Sequence, residues 1–290
     1  MLAELVRSLR PRQWAKNVFV LAPLVFAQKL ADPEALRLGV LAFVAFCCAS
    51  SAVYLVNDLA DREEDRQHPL KRHRPLAAGT LSVPVASLAA LLLAGAAITL
   101  GLYLGRAFLW FTAIYLGLNL LYSLGLKNVV ILDVMLISIG FVLRVLAGGA
   151  AINVEVSAWL VLCTSFLALF LAFSKRRHEL ILMPNEASDR RKVLSHYSPT
   201  FLDQMINVVT ASTVVAYAIY AVSPETVEKF HTRYLVYTLP MVLFGIFRYL
   251  YLIYQRPSER HPTEAILSDP HFLANMLLWG AAVIWIVYRA

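Results

Sequence analysis

Charged residues are scarce in this sequence. Asp, Glu, Lys and Arg make up only 16% of its 290 residues, whereas a soluble globular domain carries about 25%. Hydrophobic residues reach 59%, and the mean hydropathy is +0.64. Because so little polar surface remains, the composition excludes an ordinary soluble enzyme and argues against a nucleic-acid-binding surface.

Cysteine is also rare. The sequence holds only Cys47, Cys48 and Cys163, and all three lie inside apolar segments. Cys47 and Cys48 are adjacent and therefore poorly placed to pair with each other. These positions predict packing residues and exclude a disulfide or metal framework as the basis of the fold.

Long apolar runs are what the sequence has in abundance. A membrane-spanning helix needs roughly 17–25 apolar residues, and nine windows approach or meet that length. We therefore predict an all-α, polytopic membrane protein with about nine transmembrane helices, forming a single domain over residues 1–290. The windows are 17–31, 38–56, 83–104, 107–124, 129–151, 157–173, 205–222, 235–254 and 271–288.

The basic residues are distributed unequally between the two sides of these windows. With the N-terminus inside, 18 Lys and Arg fall on the inner side and six on the outer side, which is a positive-inside pattern. This predicts a multi-pass protein of the cell membrane whose basic face is cytoplasmic. Most acidic residues share that face, which indicates a polar reaction chamber; the alternative is a solvated surface that contacts lipid headgroups.

An acidic cluster follows the second window. Asn57, Asp61 and Asp65 are spaced by four, which on a helix places their side chains on one face. Oxygen ligands of this kind suit Mg²⁺, which substrate phosphates usually complete. We predict Asn57, Asp61 and Asp65 as metal ligands, and Asp58, Asp61 and Asp65 as the catalytic acidic group. The alternative is a capped juxtamembrane helix with local salt bridges.

A basic turn follows the acidic cluster within ten residues. It contains Lys71, Arg72 and Arg74. Cations beside a metal-binding face share the negative charge of a phosphorylated ligand. The combination therefore predicts that a magnesium-bound phosphate compound binds here.

The pattern Asn57-x-x-x-Asp61-x-x-x-Asp65 at the inner end of a helix resembles the first motif of UbiA-type intramembrane prenyltransferases. The resemblance implies a UbiA-type helical bundle and a requirement for Mg²⁺. It also implies an active site that faces the cytoplasm, at a mouth formed by the loops 57–82 and 174–204.

The N-terminal segment indicates one branch of that superfamily. On composition alone, RPRQWAKN at positions 10–17 is an interfacial anchor of Trp and basic residues. Its spacing, however, resembles the N-terminus of the decaprenyl-phosphate phosphoribosyltransferase branch. This resemblance makes Lys16 and Asn17 candidate ligands for a lipid phosphate.

A third cluster lies around the fifth window. Tyr122 and Lys127 precede it, and Arg144 lies within it, eleven residues after Asp133 and therefore on the same helix face. An ionisable residue in a membrane span is costly and indicates a functional site; the alternative is that Arg144 locks the bundle by packing against a carboxylate or helix carbonyls. The runs YSLGLK and LRVLAGG again resemble the phosphoribosyltransferase branch.

A fourth cluster follows the sixth window, where UbiA-type prenyltransferases usually carry a second Asp-x-x-x-Asp motif. That motif is absent, and Lys175, Arg176 and Glu179 stand there instead. The pattern Lys-Arg-x-x-Glu-Leu resembles the phosphoribosyltransferase branch. Further along, Tyr249, Tyr251 and Tyr254 predict an interfacial aromatic belt.

The resemblance implies a reaction as well as a fold. It implies Mg²⁺-dependent transfer of 5-phosphoribose from phosphoribosyl diphosphate to a polyprenyl phosphate, with release of diphosphate, in the synthesis of a cell-wall arabinan precursor. The expected partners are these two substrates and membrane lipids. The predicted donor-binding residues are Lys71, Arg72, Arg74, Tyr122, Lys127, Arg144, Lys175, Arg176 and Glu179.

Two alternatives stay open at this point. One is a UbiA-type prenyltransferase that joins a prenyl diphosphate to an aromatic or other small acceptor. The other belongs to a different class, a membrane transporter or lipid-binding protein. The acceptor chain length and the oligomeric state are also open, with a homo-oligomer among the possibilities.

Overall fold

The computed structural model describes residues 2–67, 71–182, 192–255 and 268–289. The chain divides into two compact units, Met1–Val156 and Ser157–Ala290. The prediction of a single domain over 1–290 stays a prediction. Parts of both predicted mouth loops, residues 68–70 and 183–191, lie outside the described residues.

The first unit consists of helices joined by short turns. Two short 3₁₀ turns, Lys71–His73 and Leu126–Asn128, lie in its connections. Its main elements are α1 (Leu2–Leu9), a 3₁₀ helix (Pro11–Leu21), α2 (Ala22–Phe26), α3 (Pro33–Ala60), α4 (Arg62–Gln67), α5 (Val83–Leu104), α6 (Arg106–Leu124) and α7 (Leu132–Ala151).

The longest helix, α3, begins at a well-formed cap. The Asp32 carboxylate accepts hydrogen bonds from the backbone N–H groups of Glu34 at 3.0 Å and Ala35 at 3.2 Å. Pro33 occupies the first turn, where its missing N–H costs nothing because that group has no helical partner. The sequence Asp-Pro therefore sets the point where the helix starts.

Small side chains let α3 pack at the centre of the first unit. Ala42, Ala45, Ala49 and Ala52 are all almost fully buried. Without large side chains between them, neighbouring membrane helices approach closely and gain van der Waals contact. Phe46 fills the space that remains, with its ring 5.9 Å from Phe108 in an edge-to-face arrangement.

The first predicted window, 17–31, has a different structure from the others. The 3₁₀ helix continues to Leu21, and the short α2 ends at Phe26. This segment packs closely against α7 at Gly148, where an added Cβ would lie 1.9 Å from the Val20 carbonyl oxygen. Gly148 is therefore required because only a hydrogen at that position leaves room for the passing backbone.

The second unit is also built from helices. Ser198 and Ser223 cap two of them by accepting backbone hydrogen bonds from Phe201 and Thr226. The elements are α8 (Ala158–Leu182), a 3₁₀ helix (Lys192–His196), α9 (Pro199–Val222), α10 (Pro224–Phe230), a 3₁₀ helix (Tyr234–Thr238), α11 (Leu239–Gln255) and α12 (Pro270–Arg289).

The predicted aromatic belt is wrong for one of its three members. Tyr249 is buried, and its ring packs 4.9 Å from Phe170. Tyr254 donates a hydrogen bond to Asp203 at 2.7 Å. Helix packing within the unit has turned the Tyr249 side chain into the protein interior, which spacing along the sequence did not reveal.

Eight helices in the described part of the chain are long and apolar enough to cross a membrane. They correspond to the second to ninth predicted windows and confirm the prediction of an all-α polytopic protein with about nine spans. Their bounds are Pro33–Ala60, Val83–Leu104, Arg106–Leu124, Leu132–Ala151, Ala158–Ile181, Pro199–Val222, Tyr234–Gln255 and Pro270–Arg289.

Candidate active site

The acidic cluster lies where α3 ends and α4 begins. Asp61 is the C-terminal cap of α3, and its backbone N–H donates to the Asn57 carbonyl at 2.9 Å. The Asp65 N–H in turn donates to the Asp61 carbonyl at 2.8 Å. The spacing of four therefore survives in the backbone, but the helix is interrupted at Asp61, and the side chains separate into two groups.

Asn57 and Asp61 form the first group. The Asn57 amide donates to Asp61 Oδ2 at 3.0 Å, and Ser123 on α6 donates to Asn57 Oδ1 at 3.3 Å. Lys127, which follows α6, makes an ion pair with the other oxygen of Asp61. The two oxygen-bearing side chains of α3 thus meet the ammonium group of Lys127, which lies 66 residues further along the sequence than Asp61.

Asp58 and Asp65 form the second group. Arg74 Nη1 donates to Asp65 Oδ2 at 2.6 Å and to Asp58 Oδ1 at 3.0 Å. Arg10 Nη2 donates to the same Asp58 oxygen at 2.5 Å, and Lys71 Nζ lies 3.9 Å from Asp65 Oδ1. Both carboxylates are buried, so these cations offset the cost of removing them from water.

The first group fits Mg²⁺ by its chemistry. A carboxylate and a side-chain carbonyl each have more than one lone pair, so their present partners do not exhaust them. Mg²⁺ is usually held by one or two carboxylates together with waters and substrate phosphates. In the described part of the chain, no three His, Cys, Asp or Glu side chains gather as a metal cage. The donor set therefore fits a metal that its substrate helps to hold.

Arg144 is buried on α7 and has three hydrogen-bond partners. It donates to Asn17 Oδ1 at 2.8 Å, to Tyr115 Oη at 2.9 Å and to the Gly140 carbonyl at 2.7 Å. Its guanidinium also lies 4.7 Å from the centre of the Tyr115 ring, a cation–π contact. These contacts tie α7 to the 3₁₀ helix Pro11–Leu21 and to α6.

Asn17 links Arg144 to α3. Its side chain is fully buried, and its amide donates to Ser50 Oγ at 3.1 Å and to Cys47 Sγ at 3.3 Å. Because its carbonyl accepts from Arg144, both ends of this amide contact protein. Asn17 therefore positions Arg144 in this structure.

Lys16 has a different environment from its neighbour. Burial lowers the pKa of Lys16 to about 8, and the positive charges of Arg144 and Arg10 act in the same direction. Within the described residues no carboxylate pairs with this ammonium group. A half-buried cation near other cations favours the binding of an anion.

The remaining predicted residues of the first unit lie near these groups but differ in contacts. Arg72 is exposed, and its Nε lies 3.4 Å from the His73 ring nitrogen. Tyr122 is half-buried on α6, one position before Ser123. The structure thus brings Arg74 and Lys127 directly against the acidic residues.

In the second unit, the predicted residues near the end of α8 do meet. Arg176 is buried and pairs with Glu179 Oε2 at 2.9 Å, while Lys175 Nζ lies 3.7 Å from Glu179 Oε1. One carboxylate is thus shared by two cations on the same helix.

Comparison with known proteins reveals a family. The profile of the UbiA prenyltransferase family matches residues 18–286. The chain belongs to that family. Among curated proteins, the decaprenyl-phosphate phosphoribosyltransferase of Corynebacterium glutamicum is 35% identical over 98% of this chain and 86% of its own length. The enzyme of the same name from Mycolicibacterium smegmatis is 34% identical over 98% of this chain and 93% of its own length.

Solved structures show the same fold in this UbiA family member. A UbiA homolog from Archaeoglobus fulgidus bound to DMAPP and Mg²⁺ superposes with a TM-score of 0.74 at 19% identity, covering 99% of this chain and 98% of that one. A digeranylgeranylglyceryl phosphate synthase superposes with a TM-score of 0.68 at 16% identity, covering 100% and 99%. The family match and the named relatives make this UbiA protein a transferase, and its eight apolar helices make it a multi-pass membrane protein.

Sequence reasoning missed one polar cluster of this UbiA protein. Arg177 on α8 pairs with Asp203 on α9, and its guanidinium lies 3.7 Å from the centre of the Tyr254 ring. Asp203 and Tyr254 stand far apart in the sequence and belong to no motif that the chain displays. The run Lys175, Arg176, Arg177 was the available signal, but it could not show which cation has which partner.

Proposed function

We propose that this protein transfers 5-phosphoribose from phosphoribosyl diphosphate to a polyprenyl phosphate and releases diphosphate. In this reaction the bond from ribose C1 to the diphosphate oxygen breaks, and a bond from C1 to a lipid phosphate oxygen forms. The observation that carries the proposal is the pairing of Asp61 with both Asn57 and Lys127. The names and near full-length coverage of the bacterial relatives support the choice of substrates.

Asn57 and Asp61 are the proposed ligands of Mg²⁺, and Asp65 lies four residues after Asp61. When bound there, Mg²⁺ supplies positive charge that offsets the charge gathering on the departing diphosphate. Magnesium is also present in the related Archaeoglobus structure. This assignment explains why the oxygen donors stand beside cations at the end of α3.

Lys127 and Arg74 are the proposed donor phosphate ligands in the first unit. Both already touch carboxylates, so each can turn toward a phosphate oxygen while the acidic residues bind the metal. Charge-assisted hydrogen bonds of this kind align a diphosphate as well as neutralising it. Lys71, Arg72 and Tyr122 form the outer part of the same proposed donor site.

Lys16 is the proposed ligand of the acceptor phosphate. A phosphate is already ionised near neutral pH, so the attack on C1 needs no strong general base, only alignment and charge screening. Arg144, held by Asn17 and Tyr115, adds to the positive field around Lys16. In the second unit, we propose Lys175 and Arg176 as further phosphate ligands and Glu179 as a ligand of a ribose hydroxyl.

The proposal extends to location. The basic inner loops favour an active site that faces the cytoplasm. We further propose the cell membrane as its location and the synthesis of a cell-wall arabinan precursor as its role.

A labelled-donor assay tests the reaction. Purified protein in detergent is incubated with Mg²⁺, a polyprenyl phosphate and phosphoribosyl diphosphate labelled in the ribose. We expect label to enter the organic phase as a lipid product, in step with diphosphate release. A parallel reaction with labelled prenyl diphosphate and an aromatic acid tests the other UbiA chemistry. Label transfer only in that second reaction would refute phosphoribosyl transfer.

A further inference from the structure

A small pocket lies beside the acidic cluster, on the side of Asp58. Its volume is about 140 Å³, and its lining comes from α1 and the residue that follows it, from α3 and from the turn after α4. Arg7, Arg10 and Arg74 contribute guanidinium groups, His73 contributes an imidazole, and Asp58 contributes the single carboxylate. The donor site proposed above uses Arg74 from this lining and leaves Arg7, Arg10 and His73 unassigned.

The charges around the pocket favour an anion. Asp58 is almost fully buried and already accepts from both Arg10 and Arg74, so its charge is compensated from within the protein. The lining thus has more cations than carboxylates. The Arg7 side chain is 63% exposed and lies at the longer distance of 4.0 Å from Glu4, so it is available to a ligand at the pocket entrance.

The backbone of Arg10, which lines the pocket, has an uncommon conformation. Arg10 has φ 55° and ψ 60°, in the left-handed region that residues other than glycine seldom adopt. Its guanidinium lies 4.9 Å from the centre of the Tyr54 ring in addition to its contact with Asp58. Strain of this kind persists where surrounding contacts impose it, and such places are often ligand sites.

Helix α1 indicates that the ligand comes from the membrane. Leu5 and Leu9 pack against the core around Leu55, whereas Leu2 and Val6 are 75% and 46% exposed. A short helix with apolar side chains exposed next to a basic residue is typical of a segment that lies in the membrane interface. A cationic pocket at this depth meets lipid phosphates.

We propose that this pocket binds the phosphate group of a membrane lipid. The phosphate is held by Arg7 and His73 at the entrance, with Arg10 and Arg74 behind them. An anionic phospholipid and a polyprenyl phosphate present this same chemical group. The pocket shares Arg74 with the proposed donor site, but Arg7, Arg10 and His73 are outside that site, so lipid binding can be tested apart from the transfer reaction.

Lipid titration of the purified, delipidated protein tests the site. The probes are dioctanoyl phosphatidic acid, farnesyl phosphate, dioctanoyl phosphatidylcholine and inorganic phosphate. Binding is measured by native mass spectrometry and by the shift in the thermal unfolding midpoint. We expect one equivalent of phosphatidic acid or farnesyl phosphate to bind, and phosphatidylcholine to bind at least tenfold more weakly.

Variants locate that binding. Arg7→Gln combined with His73→Gln is expected to weaken it at least tenfold, and Arg7→Glu more strongly. Both residues are exposed, so the fold should be unaffected; unchanged unfolding of the ligand-free variants checks this. The matched control is Arg37→Gln, which removes an exposed arginine paired with Glu34 at the other end of α3.

The outcomes separate the possible lipids. Tighter binding of farnesyl phosphate assigns the pocket to an acceptor-like lipid, and equal or tighter binding of phosphatidic acid assigns it to the surrounding membrane. Equal affinity for phosphatidylcholine, binding of inorganic phosphate alone, or unchanged affinity in the Arg7 and His73 variants would overturn the proposal. Transfer of labelled ribose is measured separately. If the unmodified protein binds the lipid but transfers no labelled ribose, that result counts against the proposed enzyme reaction alone.

Discussion

The Arg144 guanidinium donates from Nε to Oδ1 of Asn17 at 2.8 Å, although 127 residues separate the two. This contact joins the 3₁₀ helix near the N-terminus to the middle of α7. It places a buried cation near Lys16, the proposed ligand of the acceptor phosphate. The positive field around the proposed acceptor ligand therefore depends on how Asn17 holds Arg144.

Replacement of Asn17 should destabilise the protein. Asn17→Ala removes the acceptor of a buried, charged donor, so we expect the free energy of unfolding to fall by about 2 kcal/mol. Denaturant unfolding in detergent measures this, with Gln13→Ala on the same 3₁₀ helix as the control. Unchanged stability together with weakened acceptor affinity would instead make Asn17 a direct ligand of the lipid phosphate.

Replacement of Asp61 should abolish transfer without unfolding the protein. Asp61→Asn keeps the shape of the side chain but removes the charge that a metal and Lys127 share, so we expect turnover to fall on the order of 10²–10³-fold. The control is Glu63→Gln, a more exposed carboxylate that pairs with Arg66 on α4. Turnover near that of the unmodified protein at saturating Mg²⁺ would exclude Asp61 as a metal ligand.

The acceptor affinity should depend on pH through Lys16. Since burial lowers the pKa of Lys16 to about 8, the ammonium group is charged below that pH and neutral above it. We expect the KM for polyprenyl phosphate to rise by up to about tenfold per pH unit above pH 8, with the donor KM as internal reference. Lys16→Arg should remove this rise because arginine stays charged. The same rise in Lys16→Arg would assign the titration to another group.

Loss of Arg74 should leave two buried carboxylates without their shared partner. Arg74→Gln removes the contacts to Asp58 and Asp65 at once. Arg10 and Lys71 remain beside these carboxylates, but a buried charge that loses a close partner is costly, so we expect a loss of as much as about 3 kcal/mol in the free energy of unfolding. Arg72→Gln, two positions away and exposed, should change it by less than about 0.5 kcal/mol. Equal effects of the two changes would contradict the bridging role.

Two glycine substitutions should have opposite effects. In Gly148→Ala the new methyl group would meet the backbone of Val20, and overpacking of this kind costs about 1–3 kcal/mol. In Gly117→Ala on α6 the methyl group meets nothing within 4 Å, so the better helix propensity of alanine should stabilise the protein slightly. Thermal unfolding of both variants tests the pair; a tolerated Gly148→Ala would refute the close approach.

Several features were predictable from local sequence alone. Eight of the apolar windows became spanning helices because length and hydropathy are sufficient to select a helix in a membrane, where every backbone group must find its partner locally. The predicted window, however, began at residue 38, whereas the Asp32 cap places the start of α3 at Pro33. The oxygen donors Asn57 and Asp61 were found because a spacing of four brings side chains together over one helical turn.

Other features were decided only by the tertiary structure. The interruption at Asp61 turned Asp65 toward Arg74, and no spacing rule distinguishes a continuous helix from two that meet. The partners of Asp61, Asp58 and Arg144 come from segments 66, 48 and 127 residues away. The sequence alone determined the class, the spans and the residue types of the site; which cation compensates which carboxylate was decided by packing, because the energy of a charge depends on its neighbours in space.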